Sequence, residues 1–206
     1  MLLLLFLWQH GGISLNNREF MIAKNLSPEE NLSHIIFITG GTKSGKSEFA
    51  EHLAKKEKTL SYIALSQNNI DDKEWQDKIN LHRKRRPKDW KLIETTDLLN
   101  TLRKEGGPLL IDSIGGFVME SIDKEYKEWS TKVHSLINLL MQRKSITFIV
   151  GEQVGWSLVS EYKIGNIYIE RIGELQKRIT KISKDNWLAI NGRAIKIDEI
   201  SLEIPT

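Results

Sequence analysis

Residues 34–56 read HIIFITGGTKSGKSEFAEHLAKK. Ile35 to Ile38 and Thr39 run straight into two glycines, the pattern of a buried parallel strand entering a tight turn. From Lys46 onward the period changes, and Phe49, Leu53 and Ala54 fall on one side of a helix. Between strand and helix, Gly40 to Ser47 (GGTKSGKS) fits G-x-x-x-x-G-K-[ST], with Gly40, Gly45, Lys46 and Ser47 in the defining places. The chemistry needs each type. The glycines let the chain curl so that the N–H groups of Gly41, Thr42, Lys43, Ser44 and Gly45 turn inward on phosphate oxygens. The helix start brings a partial positive charge to the same anion. Lys46 is expected to reach the β- and γ-phosphates, and the Ser47 hydroxyl to ligand Mg²⁺.

The pattern repeats outward. TLSYIAL, WKLIET, PLLIDS and SITFIVGE read as strands. DLLNTLRKE and EYKEWSTKVHSLINLLMQRK read as helices, the second with Trp129, Val133, Leu136, Ile137 and Leu140 on one side. YKIGNIYIERIGELQKRITKIS is a further helix, and DNWLAING with RAIKI forms a hairpin across Asn191-Gly192. Apolar strands alternating with helices predict an α/β domain of the P-loop NTPase type, its mostly parallel sheet covered on both faces. The 206 residues suit one such domain, expected over 34–206. Residues 1–33 are expected to form a poorly structured extension. Its apolar run MLLLLFLW is too short to span a bilayer, and neither basic residues before it nor a cleavage site after it mark a secretory signal. A start near Met21 and a weak membrane-surface anchor are the two readings. Cysteine is absent, which excludes disulfides and thiol chemistry and fits a cytoplasmic protein. A net charge of +3 does not by itself imply nucleic-acid binding.

Asp112 ends PLLID at the carboxyl edge of the sheet, where α/β sites lie, and is read as the second Mg²⁺ partner. KINLHRKRRPKDW packs six basic residues and His82 into 13 positions. It fits a solvated helical face, a nucleic-acid patch, or cations and a nucleophile beside a triphosphate.

These motifs, in this order, resemble the bifunctional adenosylcobinamide kinase/adenosylcobinamide-phosphate guanylyltransferase family, from about Ile35 to Ile197. FITGGTKSGKSEFAE is similar to the family's glycine-rich start. YIALSQNNIDDKEWQDKI matches its second strand and acidic connector, LHRKRRPKDWKLIE its H-R-x-x-R-P-x-x-W segment, and LLIDS its acid-ended strand. VGWSLV matches the motif after the next strand. The resemblance implies two reactions: a nucleoside triphosphate, ATP or GTP, phosphorylates adenosylcobinamide, and GTP guanylylates a histidine that passes GMP to adenosylcobinamide phosphate. It implies His82 as that nucleophile, with Ala64, Leu65, Ser66, Glu94 and Asp112 lining the GTP site. It also implies a homo-oligomer, a trimer. A neutral imidazole suits the nucleophile's role near pH 7, and Arg83, Lys84, Arg85 and Arg86 would offset charge on the phosphates. A guanylyltransferase alone, another P-loop small-molecule kinase, and a nucleotide-dependent nucleic-acid binder are the competing readings.

The match weakens late in the chain. Where the family carries Asn-Glu before Val-Gly, this chain has Glu152 and Gln153. Its N-R-L-x-R…D-x-x-G-x-x-N-Q helix appears here with Lys163 and Asn166 for the arginines, Glu170 for Asp, and Gln176-Lys177 for Asn-Gln. Gly173 is kept, and Glu120 stands for an Asn after LLIDS. These positions are expected to shape the corrinoid side or subunit contacts, with the kinase half the part at risk. Trp90 is expected beneath the basic segment and Trp129 in the core. Trp156 is placed equally in the core or against substrate. His10, His34, His52 and His134 lack ligand spacing.

Overall fold

Ile35 and Phe37 point to one face of the first strand, and Ile36 and Ile38 to the other, into two separate apolar clusters. The same alternation recurs in Leu109, Leu110 and Ile111 and in Phe148, Ile149 and Val150. A strand apolar on both sides can only lie inside a sheet covered on both faces. The computed structural model describes residues 33–65, 87–156 and 160–204. Residues 1–32, Ser66 and the segment from His82 to Arg86 lie outside the described residues.

In chain order the elements are β1 (Ile35–Gly40), α1 (Lys46–Ala54), β2 (Ser61–Leu65), β3 (Lys91–Thr95), α2 (Leu98–Lys104), β4 (Leu109–Asp112), α3 (Gly115–Met119), α4 (Tyr126–Gln142), β5 (Thr147–Glu152), α5 (Lys163–Ile182), β6 (Asp185–Ile190) and β7 (Arg193–Lys196). The sheet order is β3-β2-β4-β5-β1-β6-β7. All neighbours are parallel except β6 and β7. The mostly parallel sheet read from the strand pattern is therefore present. Its hairpin turns at Asn191 (φ 49) and Gly192 (φ 74), the left-handed pair that an Asn-Gly turn supplies.

Among the described residues, α1 packs on one face through Ala50 and Ala54. Residues of α2, α3, α4 and α5 pack on the other. Trp129 of α4 is fully buried, its ring 5.9 Å from that of Phe117, and the Arg171 guanidinium lies 5.4 Å from its centre. Arg171 is itself buried. It donates to the carbonyls of Ser121 (2.5 Å), Ile122 (3.2 Å) and Lys124 (2.5 Å), satisfying the backbone of the α3–α4 link. The short helix α3 is the one element here that the strand-and-helix pattern does not announce. Five residues, two of them glycine, carry too little periodicity.

The register decides where chemistry can occur. Glu94 pairs with Ala64, Ala64 with Asp112, and Asp112 with Val150. Two residues further along β5, Glu152 pairs with Gly40. Adjacent strands lie about 4.8 Å apart, so the carboxyl ends of β4, β5 and β1 form one shallow ledge. Trp129→Ala should remove about 3–5 kcal/mol of stability by leaving a cavity between α3, α4 and α5. Urea unfolding would check this, and a loss below 1 kcal/mol would contradict the packing described.

Candidate active site

The cradle begins at Gly40. A Cβ there would lie 2.4 Å from the Ala189 carbonyl oxygen and 2.6 Å from Ser44 Oγ, so no side chain fits. Gly45 has φ 93 and caps α1, which glycine adopts without steric cost. Lys43 also has positive φ (56). Two backbone contacts brace the loop: Ser44 N–H donates to Gly41 O at 3.3 Å, and Gly192 N–H of the β6–β7 turn donates to Ser44 O at 3.0 Å. Thr42 and Lys43 are exposed at the tip, while Ser44 is buried. Lys46 Nζ folds back to donate to Gly41 O at 3.1 Å.

Asp112 closes the far side. Ser47 Oγ donates to Asp112 Oδ1 at 3.2 Å, and Tyr62 OH donates to Asp112 Oδ2. The structure thus brings together Lys46, Ser47 and Asp112. A hydroxyl and a carboxylate side by side are hard oxygen donors, the set Mg²⁺ selects. Ala64 and Leu65 end β2 beside this pair. The Leu65 side chain is buried in the core, so only its backbone faces the ledge. Glu94 lies two strands from Asp112 on β3. Trp90 is buried and stacks 6.5 Å from the Tyr62 ring, one contact away from Asp112.

A second acid stands in the same corner, one that the sequence marks only as a departure from the family pattern. Glu152 ends β5 as Asp112 ends β4, and the common signal is an apolar strand run closed by a carboxylate. Ser113 Oγ donates to Glu152 Oε1, whereas Oε2 is buried without a hydrogen-bond partner. Burial pushes the Glu152 carboxyl above its ordinary value and Asp112 adds to the rise, while the Ser113 bond and Lys46 oppose it. Burial and the neighbouring Glu152 likewise push the Tyr168 phenol up. A buried network holds the ledge behind. Thr39 Oγ1 donates to Gln176 Oε1 (2.8 Å), Gln176 Nε2 to Glu152 O (2.9 Å), and Gln153 Nε2 to Thr39 Oγ1 (3.1 Å). Gln176 is therefore a strut under β1 and β5, where a corrinoid-side or subunit role was expected. Glu120 pairs with Lys132. Trp156 is 66% exposed, which removes the core-packing alternative for it.

Residues 36–197 match the model of the family described as cobinamide kinase / cobinamide phosphate guanyltransferase. The chain belongs to that family. The family's span runs from β1 through β7 and includes the whole ledge. The chain is 27% identical over 181 residues to the bifunctional adenosylcobalamin biosynthesis protein CobU of Escherichia coli (strain K12), covering 79% of this chain and 99% of that one. It is 25% identical over the same length to CobU of Salmonella typhimurium, with the same coverage. It is 29% identical over 150 residues to CobP of Pseudomonas aeruginosa, covering 70% and 86%. A solved ATPase from the type III secretion system of pathogenic bacteria superposes with a TM-score of 0.50 at 14% identity. It covers 80% of this chain and 58% of that one, a likeness of fold alone. Within the cobinamide kinase / guanyltransferase family, then, the glycine-rich loop and the acid-ended strands of this member sit on a P-loop NTPase sheet.

Two expectations follow. Gly40→Ala should cost about 1–3 kcal/mol in urea unfolding, because backbone rather than a flexible side chain blocks the new methyl. Gly41→Ala, where nothing lies within 4 Å, should be near neutral. The second concerns pH. The folded carboxyl of Glu152 holds its proton more tightly than the unfolded one, so its contribution to stability falls as pH rises from the ordinary carboxylate value through the raised one. Glu152→Gln should therefore raise the thermal midpoint at about pH 8 relative to the wild type, with the gain shrinking toward about pH 4. A gain independent of pH would reject the burial penalty as its cause.

Proposed function

We propose that this protein phosphorylates the aminopropanol hydroxyl of adenosylcobinamide, and then carries GMP from GTP to the phosphate so formed, as a transferase of cobalamin biosynthesis. The observation that carries the reading is the Lys46–Ser47–Asp112 constellation inside a chain that matches the family from residue 36 to 197. The relatives' names supply the corrinoid pathway.

In the first reaction the loop amides and Lys46 hold the nucleotide's phosphates. Ser47 and Asp112 would hold Mg²⁺, which neutralises charge on the bridging oxygens when bound. The second reaction uses His82. Its neutral nitrogen attacks the α-phosphorus of GTP, an N–P bond forms, and the α,β-bridging P–O bond breaks with release of pyrophosphate. A phosphate oxygen of adenosylcobinamide phosphate then attacks the same phosphorus, and the N–P bond breaks to give adenosylcobinamide-GDP. Arg83, Lys84, Arg85 and Arg86 offset the charge gathered on the phosphates, and Ala64, Leu65, Ser66 and Glu94 line the GTP site. A homo-oligomer, a trimer, and a place in the cytoplasm belong to the same proposal. No helix among the described residues is long and apolar enough to cross a membrane.

The test uses GTP labelled on the α-phosphate, Mg²⁺, and wild-type and His82→Ala protein, denatured after incubation. The expected result is acid-labile protein-bound label in the wild type, none with γ-labelled GTP, and none in His82→Ala. Intact GTP binding without any label would remove His82 as nucleophile.

A further inference from the structure

Three strands end in the corner where phosphoryl transfer would occur, and two of them bring a carboxylate. Both oxygens of Asp112 already accept a hydrogen bond, Oδ1 from Ser47 and Oδ2 from Tyr62. Gln153, just past the end of β5, spends its side-chain amide on Thr39. Among the described residues of this corner, Ser44 Oγ and one oxygen of Glu152 are buried without a hydrogen-bond partner, and of the two only Glu152 carries a carboxylate. Its Oε1 is held by Ser113, its main-chain oxygen by Gln176, and its Oε2 has no partner among the described residues. We propose that Glu152 is the residue that receives the acceptor hydroxyl in the phosphoryl-transfer reaction, with Oε2 taking the hydroxyl's hydrogen bond and then its proton. The inference rests on the kinase half of the function proposed above.

The placement is built rather than incidental. Glu152 pairs in register with Gly40, the first residue of the cradle, and Gln153 N–H donates to Gly40 O at 2.9 Å. The carboxylate therefore stands at the mouth of the phosphate loop. A side chain at residue 115 would make the Glu152 carboxylate or the Tyr168 phenol shift. A Cβ there would lie 2.7 Å from Oε2, 2.9 Å from Oε1 and 2.3 Å from Tyr168 OH. As a residue, Glu152 is of intermediate exposure, whereas Oε2 itself is buried, so the acceptor hydroxyl has to enter the wall of the ledge to reach it. The groups facing it are Lys46 from α1, Asp112 and Ser113 from the end of β4, and Tyr168 from α5. A carboxylate held part-way out of water, whose affinity for a proton burial has raised, is a better proton acceptor near neutral pH than an exposed one. Where the family carries Asn-Glu this chain carries Glu-Gln. Gln153 lies just past β5, so the exchange sets the carboxylate on the strand's last residue.

The step balances. The hydroxyl oxygen attacks the γ-phosphorus and a new O–P bond forms. The bond from the γ-phosphorus to the β,γ-bridging oxygen breaks, and the nucleoside diphosphate leaves with the electron pair. The proton passes to Glu152 Oε2 and from there to solvent.

The experiment compares wild type, Glu152→Gln and Ser113→Ala with Mg-ATP and adenosylcobinamide. It reads kcat and KM across pH, with ATP affinity measured separately by equilibrium binding. Glu152→Gln should bind ATP within about twofold of wild type, lose on the order of 100-fold in kcat, and lose the acidic limb of the pH profile. Ser113→Ala should lose less than about tenfold and keep that limb. Glu152→Gln within about threefold of wild-type kcat would overturn the proposal. So would an equal loss in Ser113→Ala, since Glu152 would then act only by holding Ser113. A wild type that fails to phosphorylate the corrinoid overturns the kinase reading and this inference with it. That outcome is recognisable because the wild type itself is inactive while its labelling by GTP persists.

Discussion

At Gly40 the main chains of β1 and β6 approach so closely that a single methyl would strike the Ala189 carbonyl at 2.4 Å. The rest of the site hangs on that approach. β6 can lie beside β1 to its last residue, Gly40 against Ala189, because nothing projects between them. The hairpin that follows then ends over the cradle, and its Gly192 N–H reaches Ser44 O. A loop built to point its N–H groups at an anion would otherwise leave its own carbonyls unsupported. The Asn-Gly turn supplies the brace, and both of its residues take the left-handed backbone that puts the N–H there. Phosphate binding at β1 and the C-terminal hairpin are thus one structure, separated by about 150 residues of chain.

The acidic corner works against the fold. Asp112 and Glu152 end strands that flank the same cradle, and Asp112 adds to the cost of ionising Glu152 in a partly dehydrated place. Asp112 is offset by two hydroxyl donors, Ser47 and Tyr62. Glu152 is offset by one, Ser113, and by the charge of Lys46. A chain selected for stability alone would place an amide at 152. Keeping a carboxylate there is the pattern of a site that gives up stability for chemistry.

The sequence reading reaches as far as periodicity and motif reach. Alternating apolar residues in β1, β4 and β5 reveal a sheet buried on both sides. The 3.6-residue spacing of Trp129, Val133, Leu136, Ile137 and Leu140 reveals α4, and all of these but the partly buried Ile137 are its buried residues. Asn191-Gly192 reveals the hairpin. The cradle is legible because its spacing is that of a phosphate-binding loop, and Asp112 because an apolar strand run closes on an acid. What stays hidden depends on register between distant strands. Nothing local tells that Tyr62 bonds Asp112, that Gln176 reaches β5, or that Gly115 makes room for Glu152. Arg171 looks like a helix-surface cation in sequence, and only the fold shows it buried against Trp129 with three carbonyls to satisfy.

The departures from the family pattern separate once they are placed. Gln176 keeps an amide at its position and uses it as a buried strut between Thr39 and Glu152. Asn166 bonds the Ser160 carbonyl at 3.0 Å and ties the start of α5 to the preceding loop. Glu170 and Lys163 are exposed, and Glu120 answers Lys132 on the neighbouring helix. Each of these is a local solution to packing or solvation that leaves the phosphate ledge unchanged. The exchange at 152 and 153 differs in kind. It sets a carboxylate on the last residue of β5 at the mouth of the cradle, with the glycine at 115, the hydroxyl of Ser113 and the phenol of Tyr168 beside it. The part of the chain where resemblance is weakest therefore holds one change that touches the chemistry, and the others maintain the scaffold on which it acts.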